Sequence, residues 1–469
     1  MFSAILIALS TSAAAAVAVS TESITHYSPA NVSIGNLRDV LDPSTRTNGG
    51  FYNTSTVPND QYGAYDYCNM PHVRAQEYQA PEGYSLQYVE VLHRHHKRTP
   101  YASNTFPYED LALYCDDTEV FYYAEPKNGV DVTRIWWKDY QEPANPMAFV
   151  NSGFNSTCQF PQISYAGLAD SAQHGKDLWS VYGDKLKFLP KQYDPTTMRF
   201  RATSGIITSQ VTGVLARAMY PDLLELSVYQ QTSANDAVAP GYSCPPADDV
   251  RAAYQSTPEW QHHLNLTTDL FARLDALSGV DPTDDGWHSW YDHYFDNLSS
   301  RLCHQQPLPC NVSNSTDCIS MTDAEQVFRL GDYEYNYIFR QATNSTLYSA
   351  MHYGAFIAEL MARMKGKVAG TESAIYVHNV GHDGSVAPLL GALQINYLRW
   401  PGMGSEVTFE LWRKDFSHDY FVRVLYGGQP LETTTPMGKL DMVPYSDFIA
   451  YLDSLVGENG ELVYQYCTQ

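Results

Sequence analysis

The fold of this chain is most sharply constrained at residues 88–100, where the β-branched run Tyr88-Val89-Glu90-Val91-Leu92 ends in His93-Arg94-His95-His96-Lys97-Arg98-Thr99-Pro100. Such a run reads as a buried strand, and the loop beyond its carboxyl end is where open α/β sheets bind ligands. Two further segments repeat the pattern. Met198-Arg199-Phe200-Arg201-Ala202-Thr203 alternates as a short strand before a helix predicted over 204–219, which puts Arg201 at a strand-to-helix junction. Ser373 to Val380 reads as a third strand, followed by the turn Gly381-His382-Asp383-Gly384-Ser385 and a helix over 386–393. A helix from Tyr165 to Tyr182 is predicted with Ser164 as its N-cap. This alternation predicts an α/β fold of three layers, a mostly parallel sheet with helices on both faces. Residues 205–345 carry helical stripes such as Leu270, Phe271, Leu274 and Leu277 and lack good strands. They read as a smaller α-helical insertion domain, leaving 21–204 and 346–469 for the α/β catalytic domain.

The compartment is also written in the chain. Residues 1–20 have the apolar core and small-residue cleavage region of a signal peptide. The eight cysteines are even in number and show no C-x-x-C spacing, so disulfides are expected rather than zinc. Cys310 and Cys318 are close enough to staple a local loop, and Cys467 must reach back to something distant; the connectivity stays open. Sequons at Asn31, Asn53, Asn155, Asn265, Asn297, Asn311, Asn314 and Asn344 suit N-glycans on a secreted surface. An extracellular, cell-wall or vacuolar destination follows, with no membrane association. A net charge of −23 repels polyanions and disfavours nucleic-acid binding, so the positive charge around Arg94 stands out.

The strand ends present Arg94, His95 and Arg98, then Arg201, then His382 and Asp383, and together they suit phosphoryl transfer. A neutral imidazole can attack phosphorus to form phosphohistidine, guanidinium forks can hold the equatorial oxygens, and a carboxyl can protonate the departing alkoxide. Neither metal nor other cofactor is required, and the partner is a small-molecule phosphate ester. A zinc site from His93, His95 and His96 is disfavoured, because strand alternation sends His96 to the face opposite the other two.

Arg94-His95-His96-Lys97-Arg98-Thr99-Pro100 resembles the R-H-G-x-R-x-P motif of the histidine acid phosphatases, the mostly secreted branch of the phosphoglycerate mutase-like superfamily. Gly381-His382-Asp383 resembles that family's H-D motif, and the similarity spans nearly the whole mature chain. The resemblance implies an acid phosphatase in which His95 is the nucleophile and Asp383 the proton donor. Arg94, Arg98, Arg201 and His382 would then form the phosphate pocket. An acidic optimum is expected because Asp383 must hold its proton.

Two departures stand out. His96 replaces the family glycine, and the stretch after Arg201 lacks the acidic and second arginine positions common there. Three roles for His96 stay open: an added donor to substrate, a perturbation of His95, or a ring that faces away. Phytase activity on inositol polyphosphates is the nearest alternative, though so acidic a chain offers few bases for it. The alternative from another class is a non-catalytic protein that binds phosphate or an anionic glycan.

Overall fold

The computed structural model describes residues 24–30, 33–45, 57–115, 118, 144, 146 and 156–468. The signal segment and the sequons at Asn31, Asn53 and Asn155 lie outside them.

Ten strands are present among the described residues: β1 Tyr84–Arg94, β2 Met198–Ala202, β3 Val228–Tyr229, β4 Cys310–Asn311, β5 Asn314–Cys318, β6 Tyr376–Gly381, β7 Glu406–Lys414, β8 Tyr420–Tyr426, β9 Gln429–Pro430 and β10 Val443–Pro444. The β4–β5 hairpin stands alone, and the others form one sheet in the order β10-β8-β7-β1-β6-β2-β3, with β9 beside β8. The half from β1 to β3 is parallel, whereas β7, β8 and β10 run antiparallel to their neighbours. The sheet is therefore mixed, with the parallel strands in the half that carries the charged turns.

β1 is buried on both faces, as its continuous apolar run implies. Val89 and Val91 enter one core with Phe200, Tyr376, Leu178 and Leu215. Tyr88 and Leu92 enter the other with Phe409, Phe356 and Leu389. Helices Tyr165–Leu178 and Ile206–Met219 pack on the first face, and Ser345–Ala369 and Asp383–Ala392 on the second. Ser164 caps the Tyr165 helix as predicted, its hydroxyl accepting from Gly167 N at 3.2 Å.

The residues just after the expected boundary at 205 pack with the sheet. Helix Ile206–Met219 buries Val211 and Leu215, and β3 still pairs with β2, so the chain stays with the sheet to Tyr229. Beyond it come helices Pro245–Gln255, Pro258–Leu266, Thr268–Ser278, Asp292–Cys303 and Met321–Asn336. Their apolar residues Tyr254, Trp260 and Leu274 share one continuous core with Leu92 and Phe409. The helical segment therefore has no core of its own.

All eight cysteines pair at disulfide distance: Cys68 with Cys303, Cys115 with Cys158, Cys244 with Cys467, and Cys310 with Cys318. The local staple and the long reach of Cys467 are both present. Four such pairs suit an oxidising, extracellular or lumenal compartment. Among the described residues no helix is long and apolar enough to cross a membrane.

One sequon must be withdrawn. Asn297 is 0 % exposed, and its amide donates to the Asn104 carbonyl at 2.9 Å and to Glu109 at 2.8 Å, so both N–H groups are engaged. A glycan there has no exit. Glycopeptide mapping is expected to find Asn297 bare while the exposed Asn265, Asn314 and Asn344 are open to modification; a sugar on Asn297 would contradict the packing.

Candidate active site

The site forms where β1 and β6 end side by side. Arg94 pairs with Gly381 across the parallel ladder, and His95 N donates to the Gly381 carbonyl at 3.0 Å. The turn that follows lies against helix Tyr165–Leu178 so closely that a Cβ on Gly167 would stand 2.0 Å from the Lys97 carbonyl. Only glycine admits that approach.

His95 is 1 % exposed, and its Nδ1 lies 3.0 Å from the His96 carbonyl. A carbonyl only accepts, so Nδ1 carries the proton and Nε2 keeps its lone pair. Arg98 Nε points at that Nε2 from 3.4 Å. Burial, then Arg98, Arg94 and His382, hold the imidazole well below the ordinary histidine pKa, so it stays neutral in mild acid.

Asp383 opens helix Asp383–Ala392, and its carboxylate is 23 % exposed on the side chain. It takes a salt bridge from Arg94 at 3.1 Å and the Trp400 indole N–H at 2.7 Å. Phe295 and Tyr335 stack on Trp400 with centroids at 4.0 and 4.1 Å, which fixes that donor. Burial raises the carboxyl, but Arg94, Trp400, Arg98 and His382 outweigh it and leave it below the usual carboxylate value. Asp383 is therefore an anion in the free protein at mildly acidic pH, contrary to the expectation that it holds its own proton there.

His382 lies against His95 with ring centroids 5.5 Å apart, and its Nε2 meets Thr203 Oγ1 at 3.0 Å. Burial lowers it to about 4, against a raising contribution from Asp383. Its Nδ1 and the Nε of Arg94 are buried without a hydrogen-bond partner among the described residues. Two such groups beside a neutral imidazole are what an oxyanion would satisfy.

Arg98 is 2 % exposed, packs over Tyr101 at 4.0 Å and donates to Asp296 at 2.9 Å. Asp296 also accepts from Tyr101 N and Asn104. The acidic position missing after Arg201 thus has a counterpart on helix Asp292–Cys303.

Arg201 does not join the cluster. It pairs with Asn379, two positions before the Gly381 that faces Arg94, which leaves it about 7 Å short of the strand end. Its guanidinium binds Glu359 at 2.7 Å and Gln231 at 3.0 Å instead. Thr203, two residues on, occupies the strand-end level. His96 does not join it either: its Nε2 meets His174 Nδ1 at 3.1 Å. The alternation expected of residues 93–96 fails because β1 stops at Arg94, and the turn brings His96 back toward His93, at a ring separation of 5.8 Å. The structure thus brings together Arg94, His95, Arg98, His382 and Asp383. Sequence reasoning missed Thr203, Asp296 and Trp400; only Thr203 had a signal, from counting along the strand.

The two arginines make unequal predictions. Arg98→Lys keeps charge but loses the fork, and is expected to weaken inorganic phosphate binding about tenfold by calorimetry. Arg201→Met is expected to change it less than about twofold, since the group is spent on Glu359. Equal losses would return Arg201 to the pocket.

The pattern of the Histidine phosphatase superfamily (branch 2) matches residues 85–427. Counting factor 60 of Dictyostelium discoideum is 26% identical over 374 residues, covering 74% of this chain and 81% of that protein. 2-phosphoxylose phosphatase 1 of Homo sapiens is 24% identical over 391 residues, covering 79% of this chain and 77% of its own. Among solved structures, the Hafnia alvei phytase in complex with myo-inositol hexakis sulphate superposes with a TM-score of 0.51 at 13% identity, covering 81% of this chain and 99% of that one. That likeness shows the fold alone. With the family pattern spanning both strand ends, the chain belongs to the histidine phosphatase superfamily, branch 2.

Proposed function

We propose that this protein is a secreted phosphatase that hydrolyses phosphate monoesters through a phosphohistidine on His95. The observation that carries the reading is the fixed tautomer of His95, whose Nδ1–H is held by the His96 carbonyl while Nε2 keeps its lone pair, met only by the long 3.4 Å contact from Arg98 Nε. In the first step Nε2 bonds to phosphorus, the ester P–O bond breaks, and the leaving oxygen takes a proton from Asp383. In the second, water attacks phosphorus, its proton passes to Asp383, and the P–N bond breaks to restore neutral His95. Arg94, Arg98 and His382 hold the phosphoryl oxygens, with the unpartnered Arg94 Nε and His382 Nδ1 supplying two donors.

The proton on Asp383 needs a source, because Arg94 and Trp400 hold the free carboxyl below its usual value. A phosphate monoester monoanion supplies it, passing its proton to Asp383 on binding. The sign follows: the monoanion is lost as pH rises through about 6, so kcat/KM falls above that point and not below it. Aryl phosphates differing in their second ionisation are expected to move the breakpoint with the substrate. A breakpoint that stays put would assign it to the protein.

The groups around the cluster include the aromatic rings of Trp400, stacked on Tyr335, and of Tyr101, under Arg98, which suits a singly phosphorylated ester better than an inositol polyphosphate. The similarity to 2-phosphoxylose phosphatase 1 supports including a sugar phosphate among the substrates assayed. Brief incubation with a labelled aryl phosphate and rapid quench is expected to yield an acid-labile phosphoprotein, absent in His95→Ala. A second reading, anion binding without turnover, is favoured by the diversion of Arg201 and by Asp296 in the fork of Arg98. Phosphate binding with no trapped label would select it.

A further inference from the structure

Behind the turn that carries His95 lies a second group of histidines that the phosphatase chemistry leaves unused. His93, His96 and His174 are each 0 % exposed, and each offers a ring nitrogen within 4.8 Å of those of the other two. We propose that these three imidazoles form a buried site for a divalent transition-metal ion of the zinc class.

The hydrogen bonds around the rings argue for it. A metal-binding histidine gives one nitrogen to the ion and donates from the other to a carbonyl or carboxylate that sets its tautomer. His93 Nδ1 lies 2.8 Å from the Arg94 carbonyl, which turns the lone pair of Nε2 inward. His174 Nε2 lies 2.7 Å from Glu406, which turns the lone pair of Nδ1 inward. His96 brings Nε2 to 3.1 Å from that Nδ1, while its own Nδ1 is buried with no partner among the described residues. His378 stands behind His93, its Nε2 at 2.9 Å from His93 Nε2 and its Nδ1 at 2.8 Å from the Tyr376 hydroxyl, outside the group of three. A tetrahedron with Zn–N bonds of about 2.0–2.1 Å has edges of about 3.3 Å, so three nitrogens that share a span of 4.8 Å would draw together around the ion. An all-imidazole set suits zinc, copper or nickel rather than magnesium or calcium.

The backbone makes room for the one ring in this group that departs from the resembled motif. Gly404 has φ +70°, and a Cβ there would stand 2.5 Å from His96 Cε1. The site lies on the opposite side of the turn from the phosphate pocket. An ion there would brace the His96 carbonyl, and through it the His95 Nδ1–H, making His96 a positioning residue. Since all its ligands are buried, the ion would enter as the chain folds and not by exchange with the finished protein.

The test is metal content, which does not depend on the phosphatase reading. The full chain is produced with Zn²⁺ in the medium, desalted against a weak chelator, and measured by plasma mass spectrometry. On the order of one Zn²⁺ per chain is expected in the wild type, and at least a tenfold lower ratio in His96→Gly and in His174→Gln. Co²⁺ incorporated in place of zinc is expected to give the visible absorption of a tetrahedral nitrogen site, lost in the same variants. A folded wild type with no metal would overturn the proposal in favour of a purely hydrogen-bonded histidine cluster. Metal retained equally in the folded His96→Gly protein would overturn it too, by placing the ion elsewhere. If His174→Gln fails to fold, His96→Gly decides, because it installs the smallest residue beside Gly404.

Discussion

His95→Ala is expected to lower kcat on an aryl phosphate by about 10,000-fold or more, because no other imidazole can reach the same phosphorus. His382 is the nearest ring, but its Nε2 is engaged with Thr203. Asp383→Asn should cost less and in a telling way. Its loss is expected to be about 100-fold or more with an alkyl phosphate, whose leaving oxygen needs a proton. With p-nitrophenyl phosphate, whose leaving group departs as an anion, it should be much smaller. Equal losses on both substrates would remove Asp383 from proton transfer and leave it as the partner that orients Arg94.

The largest effect on stability is expected far from the site, at Arg423→Met. Glu410 is 0 % exposed and accepts from the Tyr78 and Tyr182 hydroxyls, both at 2.7 Å, from the Trp412 indole at 3.0 Å and from Arg423 Nε at 2.7 Å. Removing the guanidinium strands a buried carboxylate, which costs about 3–5 kcal/mol. The exposed pair Arg273–Asp323, with Arg273 52% exposed on its side chain, supplies the control. Arg273→Met should cost less than about 1 kcal/mol. Denaturation of both variants with the disulfides intact checks the contrast; equal midpoints would mean that Glu410 sheds its charge at little cost.

What could be read in advance follows from how local each signal is. The β1 run and the Ser164 cap are set by neighbours in sequence and stand where their pattern put them, whereas the turn expected over 381–385 is shorter, with Gly381 still in β6 and the helix already begun at Asp383. Arg201 was misplaced by a register of two residues, since alternation tells which face a strand residue takes but not how far the strand runs. His96 was misread for the same reason: period-two reasoning stops being valid where β1 stops. Asp296 could not be found at all, because 198 residues separate it from the arginine it meets. The antiparallel half of the sheet was equally silent, as β7 and β8 take their direction from tertiary packing rather than from their own pattern.

The helix Asp292–Cys303 gives Asp296 to Arg98 and Cys303 to the bridge with Cys68. An engineer who wished to graft a relative's helices onto this sheet, to borrow its taste in substrates, would thereby strip a counter-charge from Arg98 and cut a covalent tie to the N-terminal region. Specificity in this molecule is thus not an exchangeable cap, and its redesign has to proceed side chain by side chain around an intact frame.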